Sequence, residues 1–196
     1  MTQGHYSKSE QGQKRFSYEQ LRRMNETEVD VHYIFTGNRA DVSLMEQYGV
    51  LSELNQSECY YLGQLFYVIL QRVCHHGEDT GCNEMLKRTA VLRCFLNLGE
   101  KNIWEVIRCY YGYTQAKVAA FLGMDLRKYV RLEKGEVNPD SEIIFRMYQQ
   151  FGIPPQLMLG DKRGILNAMC DMLKQLEAED QDRIMQVIAK EQEVFR

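Results

Sequence analysis

The stretch YTQAKVAAFLGMDLRKYVRLEKGEVNPD (Tyr113–Asp140) divides itself into two short helices and a tight turn. Thr114 suits an N-cap, where its hydroxyl oxygen accepts from an N–H group that a helix start leaves unpaired. Val118, Ala119, Phe121 and Leu122 follow at helical spacing and predict one apolar face. Gly123 breaks that helix. Asp125 caps the next one, which runs to Lys134 and stops at Gly135. Asn138 and Pro139 predict a loop, and small Ala119 sits where the two helices would press together.

Outward from this stretch, residues 101–160 read as five short helices. The first covers about Asn102 to Tyr110, with Ile103, Val106, Ile107 and Tyr110 on one face. The fourth covers about Ser141 to Gln150. The fifth follows Ile153, with Pro154 and Pro155 suited to its first turn.

Two helices joined by a short Gly-containing turn make a helix-turn-helix. Thr114-Gln115, Ala119, Leu122-Gly123, Arg131, Glu133, Gly135 and Asn138-Pro139, continuing into FGIPPQLML (151–159), occur in a specific order. In that order they resemble the Cro/lambda-repressor (XRE) family of DNA-binding domains. The resemblance covers residues 101–160, about a third of the chain. It implies a five-helix, lambda-repressor-like domain whose third helix (about 125–134) lies in the DNA major groove.

That placement accounts for a local excess of positive charge. The chain is acidic, with a formal net charge of −3, yet Leu126–Gly135 carries Arg127, Lys128, Arg131 and Lys134. Residues 101–163 hold 10 basic and 7 acidic side chains, while the segments on either side are acidic. A charge run on an amphipathic helix is ordinarily a solvated face; here the surrounding pattern favours DNA contact. Arg127, Lys128 and Arg131 share one side of the helix, and Tyr129 and Leu132 turn to the core. Arg can donate twice to guanine O6 and N7, and Lys reaches the same atoms. Lys134 and Lys117 are better placed for phosphates, and the resemblance implies that Gln115 touches the DNA backbone. Leu126 and Val130 depart from the family, which often has polar base readers there; either they touch thymine methyls or the site has drifted.

The chain also repeats itself. MTQGHYSKSEQGQ (1–13) aligns onto MDLRKYVRLEKGE (124–136) at an offset of 123, with Met1, Tyr6, Glu10 and Gly12 matching Met124, Tyr129, Glu133 and Gly135. FSYEQLRRM (16–24) follows PDSEIIFRM (139–147) in outline, and VDVHYIFTGNR (29–39) parallels IPPQLMLGDKR (153–163). Residues 1–40 therefore read as a truncated copy of the same domain, holding its third to fifth helices only.

Between the copies, residues 41–100 read as a helical linker or dimerisation segment. Its densest part, Ser57 to Val73, is apolar nearly all round and must be buried, in its own domain or against another subunit. Glu84 to Leu98 predicts another helix. Residues 161–196 read as two C-terminal amphipathic helices. Ile165, Met169, Met172, Leu173 and Leu176 form one stripe, and Ile184, Val187, Ile188 and Phe195 form the second, with EAEDQD (177–182) as a polar hinge. A homodimer is expected, its seam on the helix around Leu62 to Leu70 or on the stripe ending at Phe195.

With three prolines, helix-favouring residues and almost no alternating β-branched runs, the chain is expected to be all-α. No run reaches the length of a membrane span, and no apolar signal region opens the chain, so a cytoplasmic protein away from membranes is expected. The six cysteines then stay reduced and read as small buried hydrophobes. CHHGEDTGC (Cys74–Cys82) lacks CxxC spacing and reads as a polar turn, so neither a metal nor a cofactor is expected. GxGxxG, GxxxxGK[ST], HExxH and GxSxG are absent, and no enzyme activity is expected. The reading is a sequence-specific, double-stranded-DNA-binding transcriptional regulator of bacterial or phage type. One rival is a protein-interaction module, such as an antitoxin with a protein partner and autoregulatory DNA binding. The other is a metal or redox sensor using the cysteines.

Overall fold

The computed structural model describes residues 15–27, 29–37, 39, 43–50, 56–74, 85–87, 89, 102–161 and 164–194. Secondary structure among them is helical, with no strand, so the fold is all-α. In chain order the helices are α1 (Tyr18–Asn25), α2 (Val31–Thr36), α3 (Ser43–Gln47), α4 (Gln56–Cys74), α5 (Ile103–Tyr110), α6 (Gln115–Phe121), α7 (Leu126–Glu133), α8 (Ser141–Phe151), α9 (Pro155–Met158), α10 (Gly164–Leu173) and α11 (Ala178–Val194). A further helical stretch covers 85–87.

The five helices predicted over 101–160 are α5 to α9, each within a residue or two of its expected start. Their starts are fixed by side chains the sequence places there. Asn102 accepts from the Trp104 N–H, Thr114 from Lys117, Asp125 from Lys128 and Asp140 from Ile143. Each satisfies one amide that the first helical turn leaves over, for about 1 kcal/mol. Gly123 ends the turn between α6 and α7 at a φ of 61°, a left-handed conformation that L side chains avoid. Its amide and that of Met124 donate back to Ala120 and Ala119, which closes α6.

Packing follows the apolar stripes. Val118 and Ala119 from α6 and Leu122 at its C-cap meet Tyr129 and Leu132 from α7 in the core, and Ala119 keeps the two axes close. Trp104 and Ile107 of α5 cover α7 from the other side. Ile143, Ile144, Met147 and Phe151 bury the inner face of α8.

The other elements form two groups. Helices α1 and α2 lie on α8 and α9: Phe16 joins Ser141 through its backbone, Asn25 donates to Asp161, and α2 packs on α9. Helix α4 lies between α10 and α11, burying Leu62, Phe66 and Leu70. Of the residues expected to form a dimer seam, Leu62, Phe66 and Leu70 are buried within the chain, while Val68 and Val187 are exposed. Ile165, Met169, Met172 and Leu173 of α10 and Ile184 and Ile188 of α11 are all buried. Phe195 lies outside the described residues.

Two expectations need correction. EAEDQD is no hinge: Ala178 to Asp182 form the first turns of α11, and only Glu177 lies outside it. Acidic side chains at a helix start are favoured by the macrodipole, so this charge run extends the helix. Within the chain helix α4 is buried on one face, with Tyr61 and Val68 57% and 52% exposed, which leaves the other face to the second expected alternative, another subunit. Cys109 is exposed on the outer side of α5, whereas Cys59 and Cys170 are buried as expected. The repeat's third helix (1–13), most of CHHGEDTGC and most of the helix expected over 84–98 lie outside the described residues.

Candidate nucleic-acid interface

Helix α7 is short enough that each residue belongs clearly to one side. Tyr129, Leu132 and Glu133 face inward and are buried, and Val130 is half-buried. Leu126, Arg127, Lys128 and Arg131 face solvent, with Leu126 47% exposed. Lys134, the C-cap, is also exposed. Among the described residues, Arg127, Lys128 and Lys134 have no ion-pair partner. Arg131 has one, Glu136, at 3.4 Å between two exposed side chains. Such a pair contributes little and exchanges readily with another anion.

Lys117 and Gln115 flank this ridge from α6. The Lys117 ammonium sits 4.1 Å from the centre of the Tyr113 ring and 5.8 Å from that of Phe121, a cation–π seat that leaves the residue exposed. Gln115 is half-buried, and its amide donates to Glu133 Oε2 at 2.5 Å. The other oxygen of Glu133 accepts from Arg108 Nε, also at 2.5 Å. An ionised carboxylate buried to this extent is costly unless every lone pair is used and a cation stands beside it. Arg108 supplies the charge and Gln115 the second donor. The contact pushes the Arg108 guanidinium above its ordinary pKa. Burial, with the nearby Glu133 charge adding to it, pushes the Tyr129 phenol well above the usual tyrosine range. The Tyr129 hydroxyl donates to the Trp104 carbonyl.

The structure thus brings Leu126, Arg127, Lys128 and Arg131 onto one exposed ridge, with Lys134 at its end. Lys117 and Gln115 stand on the helix packed against it. The seven candidate residues stand on two neighbouring helices and the cap of one. Sequence reasoning left four supporting residues without a role. Glu133 and Arg108 fix Gln115, Tyr113 seats Lys117, and Arg146 reaches from α8 over Gly123, where it also pairs with Glu142. The signal for the first pair was present as polar residues at positions 108 and 133 on otherwise apolar faces.

Elsewhere, a cavity of about 350 Å³ opens between α8 and α10, lined by Tyr148, Phe151, Ile153, Ala168, Asp171 and Met172 among others. Among the described residues, no group of three or more His, Cys, Asp and Glu side chains is placed to hold a metal. No helix of the described residues is long and apolar enough to cross a membrane. No protein-family model matches the chain, and neither does any curated protein or solved structure.

Proposed function

We propose that the chain is a sequence-specific regulator that reads duplex DNA with α7, its partner being double-stranded DNA. The observation that carries this reading is the division of α7. Its back is anchored by Tyr129, Leu132 and Glu133, and its front offers Arg127, Lys128 and Arg131 without strong competing partners. A rigid helix with exposed bidentate donors is the geometry that major-groove readout requires. Leu126 at the start of the ridge adds an apolar contact suited to a thymine methyl. Lys117 and Gln115, one turn of chain away, are suited to the flanking phosphates, which set register while the bases set sequence. The resemblance of 113–140 to the XRE family points the same way.

The test is fluorescence anisotropy with the duplex upstream of the chain's own coding sequence and with scrambled duplexes of equal length. Specific binding is expected at roughly 10⁻⁸ M or tighter, falling steeply with added salt as counterions are released. Equal affinity for every duplex would overturn the reading.

A further inference from the structure

Helices α1 and α2 are the counterparts of α8 and α9 in the internal repeat, and the structure repeats the correspondence in detail. Ser17 caps α1 as Asp140 caps α8, 123 positions later. Asp30 and Pro154, 124 apart, stand at the N-caps of α2 and α9. Leu21 and Ile144 are equivalent and both fully buried. His32 and Gln156 are equivalent, and each is a buried polar residue.

The two copies also lie against each other, like on like. The entry of one meets the entry of the other: Phe16 N–H donates to Ser141 Oγ at 3.2 Å, Ser141 N–H donates to Phe16 O at 2.9 Å, and Arg15 pairs with Asp140 and Glu142. Helix α2 packs on its counterpart α9. Cross contacts run in both directions. His32 and Phe35 of α2 meet Tyr148 and Phe145 of α8, with ring centres 6.1 and 6.5 Å apart. In return Asn25 of α1, the equivalent of Tyr148, donates to Asp161 just past α9 at 2.8 Å. Contacts of the second helix of one copy on the first of the other, and of the first on the end of the second, follow a two-fold pairing element by element, with the residue pairs themselves diverged.

We infer that the α8–α9 face is a self-pairing surface, and that α1–α2 occupy it within the chain in place of a second copy. The partner it fits is therefore another α8–α9 face, kept off by a divergent internal copy. The inference does not depend on DNA binding. Two contacts hold the cover in place: Phe35 is seated on Phe145, and Arg15 supplies the charge opposite Asp140 and Glu142.

The test is sedimentation velocity of the full chain without DNA, over micromolar to hundred-micromolar concentrations, for the wild type, Phe35→Glu and Arg15→Glu. Circular dichroism establishes that each variant is folded. Loosening the cover should expose the face, so each folded variant is expected to self-associate at least tenfold more tightly than the wild type. Adding Phe145→Glu on the face itself should abolish that gain. Folded variants that associate no more than the wild type would overturn the inference. So would a gain that survives Phe145→Glu, because the new contact would then lie elsewhere. Should Phe35→Glu fail to fold, Arg15→Glu, more than half exposed, decides the matter alone.

Discussion

Arg108 and Glu133, twenty-five residues apart in sequence, meet at 2.5 Å in a site where the Glu133 side chain is only 7% exposed. The pair ties α5 to α7 and holds Gln115 through the carboxylate's second oxygen. Removing one partner strands the other's charge in a dry site, which costs far more than the intact pair contributes. Glu133→Ala is therefore expected to lower stability by about 3 kcal/mol, measured by urea denaturation. Arg108→Ala should cost at least as much, because the carboxylate it strands is 7% exposed, whereas the guanidinium stranded by Glu133→Ala is 20% exposed and can turn to water. A clearly smaller loss for Arg108→Ala would show that the Gln115 donor alone holds the carboxylate.

The proposed base readers and phosphate clamps separate by experiment. Arg131→Ala and Lys128→Ala are each expected to reduce discrimination at particular base pairs by about 1–3 kcal/mol. Lys117→Ala should weaken all sequences alike and reduce the salt slope by about one unit. Removing the ring below it, Tyr113→Ala, should reproduce part of that loss by freeing the ammonium from its seat. Binding isotherms at several salt concentrations, on matched and mismatched duplexes, distinguish these outcomes. Identical behaviour of Lys117 and Arg131 variants would sink the division of roles.

At Gly123 two costs can be told apart. The backbone is left-handed, and a Cβ would fall 2.0 Å from Arg146 Nη1. A guanidinium at the end of a flexible side chain can swing aside, whereas the φ angle is fixed by the turn. Gly123→Ala should thus cost about 1–2 kcal/mol from the backbone alone. Adding Arg146→Ala should not restore it, and full rescue in thermal unfolding would show that the contact, not the backbone, was responsible.

The features legible in the sequence are those whose cause is local. Thr114, Asp125 and Asp140 cap helices because of what they offer to amides three residues on, and Gly123 ends one because of its own φ. Such requirements need no knowledge of the rest of the chain, so α5 to α9 and the exposed ridge of α7 were readable in advance. The Glu133–Arg108–Gln115 contact was not, since it joins three helices and depends on how their axes cross. EAEDQD misled for a related reason: acidic runs suit both a solvated hinge and the first turn of a helix, and only the chain that follows decides. The repeat at offset 123 was visible as sequence, but its consequence was not. That two similar segments lie against each other is a fact of tertiary packing over some 125 residues.

Tyr129 sets an alkaline limit on the fold. Burial raises its pKa above the ordinary value of 10.0, and in the unfolded chain it returns there. Below that value both states hold the proton, and the stabilising contribution is fully present. Between the unfolded and the folded pKa the unfolded chain binds fewer protons than the native one, so stability falls as pH rises. The slope for one group is at most about 1.4 kcal/mol per pH unit. Tyr18 and Tyr48, raised by burial and by a hydrogen bond to Asp182 respectively, act in the same direction. Tyr129→Phe keeps the ring in its place between α5 and α6 and deletes the ionisable group. It also leaves the Trp104 carbonyl without this donor, so a loss of about 1 kcal/mol at neutral pH is expected. Above about pH 10 the variant should lose stability less steeply than the wild type, and the two curves should converge. Parallel curves in urea denaturation from pH 8 to 11 would mean that Tyr129 does not govern the alkaline transition.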